Sequence, residues 1–281
     1  MTLEHGRWTI WLMASAAVLL GLAVQHQLGA PASGLMVQAA GAVLGAVLFF
    51  ALSRVRPPRR ASVAAFGLAV LLAVMALPLV LGPELAGARR WLLLGPISLQ
   101  PSMILLPVVI WLVAVPRPGL DKSLLILATG GVLALQFDAA ALTGLALAWL
   151  AGHLPSARRG EMHVRGVAFG LAVLTVWAWM RPDALPSVAW VEQVLPNAWG
   201  HGLWTGVMAT LATLLVPTPL ILLARGSPAA LSLVAFYVGL VGAALVGNYP
   251  LPVVGLGASL VVGWLMALGL ARAPIRRSPP A

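Results

Sequence analysis

The sequence contains no cysteine in 281 residues, which excludes disulfides, thiolate metal sites and cysteine nucleophiles from the outset. Charge is scarce as well. Only 9% of residues are Asp, Glu, Lys or Arg, and just seven are acidic, where an ordinary soluble domain carries about 25% charged residues. In their place 61% of the chain is hydrophobic and mean hydropathy is +0.99, a balance that excludes a soluble globular domain. The formal net charge of +10 comes from 17 Lys and Arg. These fall in short clusters between apolar stretches rather than along one stripe, so nucleic-acid binding is a poor reading of the basic balance. No Walker loop, HExxH or dinucleotide fingerprint is present, and His5, His26, His153 and His163 have no metal-ligand spacing.

What is there is a series of long uncharged runs. A bilayer core of about 30 Å needs roughly 20 apolar helical residues. Ten such stretches occur, over residues 8–24, 34–52, 61–81, 102–116, 123–137, 139–155, 166–180, 203–224, 228–247 and 253–271. The fifth and sixth are separable only through loop charge. With two spans there and an inside N-terminus, 14 of the 17 basic residues are cytoplasmic: Arg7, Arg54, Arg56, Arg59, Arg60, Arg117, Lys122, Arg158, Arg159, Arg165, Arg225, Arg272, Arg276 and Arg277. Arg89, Arg90 and Arg181 remain outside. One span instead of two gives 8 against 9 and erases the positive-inside bias. The expected fold is therefore an all-α polytopic membrane protein of about ten transmembrane helices with both termini cytoplasmic. It forms a single transmembrane domain over residues 1–272, with a short tail over 273–281. Reading the first stretch as a signal peptide would break this charge parity.

Polar residues near the outer ends of spans carry the chemical information, because ionisable groups at membrane depth are costly. Arg89 and Arg90, beside Trp91, stand on the side that basic residues usually avoid. Two readings stand: a bidentate grip on a phosphate or carboxylate ligand, or pairing with Glu84 and stacking on Trp91. Asp138, flanked by apolar residues, is either a functional carboxylate or the N-cap of the sixth span. The segment from Arg181 to Gly202 holds Asp183, Glu192, Asn197 and His201 among tryptophans. His201 reads as a base near neutral pH or as an interfacial histidine bonded to water or backbone. Gly41/Gly45 and Gly202/Gly206 have GxxxG spacing and read as close helix packing, while Pro78, Pro107, Pro217 and Pro219 should kink their spans.

At these places the chain resembles the SEDS family (RodA, FtsW and SpoVE). Gly87-Ala-Arg-Arg-Trp91, with Gly95 and Gln100-Pro-Ser102, is similar to the family's GA-x-RW…LG…QPSE segment. Leu135-Gln136-Phe137-Asp138 falls where the family has QPDLGT, residues 195–201 resemble LPEAHTD, and residues 250–259 resemble PLPFVSYGGSS. The resemblance implies a SEDS-type bundle in the bacterial cytoplasmic (inner) membrane and a place in peptidoglycan synthesis for cell shape or division. It implies lipid II, an undecaprenyl-pyrophosphate-linked disaccharide, as substrate, a class B penicillin-binding protein as partner, and glycosyl transfer as activity, with a divalent cation (Mg or Mn) if active. By the same resemblance Arg89, Arg90, Trp91, Gln100, Asp138 and Asn197 become candidate substrate-binding residues.

The departures bear on catalysis. The acidic residue that ends LPEAHTD falls on His201; the Glu of QPSE is Met103 and the Lys one turn later is Leu106. The Pro and Thr of QPDLGT are Phe137 and Ala141. Losing a general base removes about 10²–10⁴ in rate, leaving His201 or Glu192 as substitutes. Three expectations follow: a lipid-precursor binder without catalysis, a working glycosyltransferase, or a lipid-linked precursor transporter. The third calls for midplane charges, of which the sequence has almost none.

Overall fold

The structure is a computed structural model that describes residues 3–58, 60–95, 97–114, 119–181, 185–224 and 227–273. Arg59, Arg117, Asp183, Arg225, Arg276, Arg277 and the tail beyond residue 273 lie outside the described residues. The elements are α1 (Leu3–Gln27), α2 (Ala32–Leu52), α3 (Ala61–Leu81), β1 (Leu92–Leu94), β2 (Ile97–Leu99), α4 (Pro101–Ala114), α5 (Leu120–Leu135), α6 (Ala139–Arg158), α7 (Met162–Trp179), α8 (Val194–His201), α9 (Leu203–Leu215), α10 (Thr218–Leu223), α11 (Pro228–Val246) and α12 (Ala258–Arg272). Helix is dictated by the solvent, since only internal hydrogen bonds satisfy a backbone in lipid. The ends are set by proline, glycine and short polar side chains. Ser227 caps α11 by accepting from Ala230 N–H at 3.2 Å, and Pro31 and Gly82 flank α2 and α3.

Ten helical segments stand where ten spans are expected, so the chain is a multi-pass α-helical membrane protein. Seven are long and apolar enough to cross a membrane by length and composition, Leu203–Leu223 being counted as one. The other three, α4, α5 and α12, have 14, 16 and 15 residues. The fifth and sixth spans are two helices, α5 and α6, joined by the three residues 136–138. Pro78 and Pro107 lie inside α3 and α4, while Pro217 separates α9 from α10 and Pro219 stands in the first turn of α10.

Three features differ from the sequence reading. The tenth span does not begin at residue 253: residues 248–257 are non-helical and α12 starts at Ala258. Pro250, Pro252, Gly255 and Gly257 disfavour helix there, and the backbone polar groups find partners inside the bundle instead. Between α3 and α4 an antiparallel hairpin pairs Leu92 with Leu99 and Leu94 with Ile97. Between α7 and α9 the short helix α8 packs on α9.

The helices pack through small residues, the usual device where lipid offers no hydrophobic drive between helices. Residues 259–271 of α12 are all buried. A Cβ at Gly41 would lie 2.9 Å from Ala258, one at Gly45 would lie 2.7 Å from Leu265, and one at Gly263 would collide with the Met103 carbonyl. These glycines hold α2 and α4 against α12. Gly239 meets the Gly144 backbone between α11 and α6. Of the Gly202/Gly206 pair only Gly206 marks close packing, against the Trp199 ring of the neighbouring α8; a Cβ at Gly202 would meet nothing within 4 Å.

Candidate functional site

The site is built on the elbow between α5 and α6. α5 ends in a Schellman arrangement: Phe137 N–H donates to Ala134 O at 2.9 Å and Asp138 N–H to Leu133 O at 3.0 Å. Phe137 takes the left-handed position at φ +55° that glycine usually fills. Asp138 then serves at once as N-cap of α6, its Oδ1 accepting from Ala141 N–H at 3.0 Å. Its Oδ2 accepts from Gln100 Nε2 at 2.8 Å, and Gln100 N–H donates to Ser259 Oγ at 3.0 Å. A line of hydrogen bonds thus joins the starts of α6, α4 and α12.

Arg90 completes the elbow. Only 4% exposed, it donates from Nε to Gln136 O at 2.9 Å and from Nη2 to Phe137 O at 2.7 Å. These carbonyls belong to the end of α5, where orphan acceptors and the negative end of the helix dipole favour a cation. The guanidinium carbon also lies 5.6 Å from the Trp91 ring centroid and 5.7 Å from that of Tyr249.

These groups face a cavity of about 130 Å³ whose walls include Arg90, Trp91, Gln100, Asp138, Glu192 and Tyr249. The connections after α3, α5, α7 and α11 all reach it. Four connections at one end of the bundle require the alternation of direction that the loop charges imply. The N-termini of α4, α6 and α12 open onto the cavity through Gln100, Asp138 and Gly257, and each presents the positive end of its dipole. Glu192 turns its Oε2 to accept Val188 N–H at 2.9 Å. Together with Asn248 it also borders an adjoining cavity of about 340 Å³, between α8 and the end of α11.

Of the candidate residues, Arg90, Trp91, Gln100, Asp138 and Glu192 come together, while Arg89, Asn197 and His201 do not. Residues 89–91 are not helical, and Arg90 and Trp91 share the cavity wall while Arg89 does not. Arg89 goes outward, into an exposed ion pair with Glu84 at 2.8 Å. Asn197 is exposed and its amide donates to Gln193 O one turn back at 2.7 Å. α8 buries Val194 and Ala198, and His201 lies past the end of that stripe, exposed and off the cavity wall. Arg90 and Glu192, rather than both arginines and the imidazole, share a cavity with Asp138. Sequence reasoning missed Ser98, Asn248, Tyr249 and Ser259. The buried Asn248 Oδ1 has no hydrogen-bond partner among the described residues. The signal available for it was an amide directly after an apolar span.

The donor set does not fit a resident divalent cation. Among the described residues no three His, Asp or Glu side chains cluster, and both oxygens of Asp138 already accept hydrogen bonds.

Residues 7–117 match the sequence model of the family described as "Cell cycle protein", comprising FtsW, RodA and SpoVE. This match covers less than half of the chain. A search of curated proteins gave no match. Among solved structures, the Thermus thermophilus rod shape determining protein RodA, crystallised as a point mutant, is similar with a TM-score of 0.66 and 24% identity, over 94% of this chain and 95% of that one. Wild-type RodA of the same organism gives a TM-score of 0.65 at 24% identity over 94% of each chain. A chain from "Structural coordination of polymerization and crosslinking by a peptidoglycan synthase complex" gives 0.60 at 23% identity, over 94% and 96%. A fold like that of RodA thus runs through nearly the whole chain. One departure from the SEDS motif now has a geometric meaning. Proline is locked near φ −65°, so the proline of QPDLGT cannot occupy the conformation that Phe137 adopts at φ +55°.

Proposed function

We propose that this SEDS-like protein serves peptidoglycan synthesis in the bacterial cytoplasmic membrane by binding an undecaprenyl-pyrophosphate-linked disaccharide, lipid II or a close analogue, at the outer cavity. The observation that carries this reading is the buried guanidinium of Arg90 facing the same cavity as three helix N-termini. A pyrophosphate needs such a surface: fixed donors and dipoles aimed at anionic oxygens in a water-poor site. Trp91 and Tyr249 supply apolar wall beside it. A class B penicillin-binding protein is the partner that the family resemblance proposes.

Binding needs no base, and the residue in the family's carboxylate position, His201, stands exposed away from the cavity. A second reading, a working glycosyltransferase, is favoured by one observation: Glu192 is the carboxylate on the wall shared by two adjoining cavities. A donor sugar on one side and an acceptor hydroxyl on the other would both lie within reach of that wall. The transporter reading has less support. The buried charged side chains among the described residues are Arg90, Lys122 and Asp138, each at a helix end rather than at the midplane.

The test uses purified protein, lipid II and a divalent cation. Saturable binding weakened by Arg90→Lys, without glycan polymer, supports the binder. Polymer that disappears in Glu192→Gln but persists in His201→Ala supports the transferase. Absence of saturable binding by the parent protein overturns both.

A further inference from the structure

The non-helical segment 248–257 supplies Asn248, Tyr249, Pro250, Leu256 and Gly257 to the cavity wall, and within it Val254 N–H donates to Pro252 O and Gly255 N–H to Leu251 O, both at 2.8 Å. Val253, fully buried, sits at φ +68°. A β-branched side chain in the left-handed region is a rare and strained conformation that persists only where its surroundings impose it. Beyond these local turns, the groups that hold it come from two distant helices and from the loop residues Trp190 and Val191. Gln25 of α1, with no exposed surface, donates Nε2–H to Val254 O at 2.8 Å. Gln38 of α2, 1% exposed, donates Nε2–H to Val253 O at 3.1 Å and accepts Gly257 N–H on Oε1 at 2.6 Å. Gly21 lets α1 approach closely, since a Cβ there would stand 2.7 Å from Val253 O. From the other side Leu256 N–H donates to Trp190 O at 2.9 Å, and Gly255 lies against Val191 O.

We propose that Gln25 and Gln38 are positioning residues that clamp this strained segment and so set the width of the cavity. Neither lines the cavity; each acts through the backbone that does. Gln38 is the principal clamp, because its one amide ties both ends of a five-residue bend, Val253 and Gly257. Gln25 contributes a single bond, and its Oε1 is buried without a hydrogen-bond partner among the described residues. Removing Gln38 leaves Val253 free to relax out of φ +68° and swings the start of α12, with Ser259 and its bond to Gln100, away from Asp138.

The absence of native cysteine makes the test direct. A Leu256→Cys reporter on the cavity wall is labelled with a membrane-impermeant thiol reagent, without ligand, in the parent background and with Gln38→Met, Gln38→Glu, Gln25→Met or the bystander core change Phe49→Leu in α2. Gln38→Glu keeps the side-chain length and the acceptor for Gly257 N–H and, when ionised, sets an oxygen against Val253 O, while Gln25→Met loads the same segment from α1 and reports even where a Gln38 variant fails to fold. The expected result is labelling about tenfold faster in the Gln38 variants, the effect of local opening after lost buried hydrogen bonds. Gln25→Met should give a smaller increase and Phe49→Leu none. Gln38 variants that lose thermal stability yet label at the parent rate would overturn the clamp, leaving the glutamines as ordinary packing. The effect on ligand rests on the proposed function and is read separately, as protection of the reporter by undecaprenyl pyrophosphate. Faster labelling in the variants with no protection in the parent removes the ligand reading and keeps the clamp; protection in the parent that weakens in Gln38→Glu supports both.

Discussion

The two consecutive arginines give the sharpest test of the structure, because neighbours of identical chemistry are assigned opposite roles. Arg90→Lys retains the charge but replaces a planar fork with a point donor, which can reach Gln136 O or Phe137 O but not both. One buried carbonyl is then left without its charged donor, a loss of about 1–3 kcal/mol, joined by the stacking of the guanidinium on Trp91 and Tyr249, about 0.5–1 kcal/mol. Arg89→Ala breaks the ion pair with Glu84, whose partners are 44% and 55% exposed, and an exposed 3.3 Å bond from Nη1 to Leu79 O, so its cost is about 0–1 kcal/mol after solvent screening. Thermal unfolding of the detergent-solubilised protein should therefore separate the variants, Arg90→Lys lowering the midpoint and Arg89→Ala leaving it nearly in place. Lipid II titration should follow the same order, with Arg89→Ala binding like the parent. Equal destabilisation by the two substitutions, or binding lost in Arg89→Ala alone, would refute the division of labour.

Other outcomes follow from single contacts. Asp138→Asn preserves shape but sets an amide NH₂ against either Ala141 N–H or the Gln100 amide donor. Two donors facing each other should cost about 1–3 kcal/mol in thermal unfolding. Phe137→Pro, which restores the family's residue, removes the N–H that bonds Ala134 O and forbids φ +55°. It should destabilise by about 3 kcal/mol or more, and a neutral result would mean the elbow differs from the one described. Gly263→Ala drives a methyl into the Met103 carbonyl where α12 crosses α4. Overpacking there should cost about 1–3 kcal/mol, whereas Gly131→Ala, with open space around it, should be tolerated.

Much of the architecture was legible without coordinates. Hydrophobic run length placed the spans, because lipid forces every apolar run of that length into a helix. Loop charge resolved the fifth and sixth spans, since one miscounted crossing would reverse the side of every later basic cluster. Asp138 stood out as an isolated carboxylate, and its reading as the N-cap of α6 is met, while the same residue also lines the cavity. Those inferences depend on signals carried by adjacent residues.

What adjacency does not carry, the tertiary structure decided. The sequence could not divide Arg89 from Arg90, because the division comes from the docking of Arg90 on the carbonyls at the end of α5. It could not place Glu192 on the cavity and His201 off it, because that depends on where α8 docks. Nor could it show that Gln25 and Gln38 reach across the bundle to hold Val253 in a strained turn, contacts that span 215 residues or more of chain. Composition and run length fix what a segment must do in lipid. Which polar groups meet is settled only when helices distant in sequence pack, and the free energy of a buried hydrogen bond depends on that meeting.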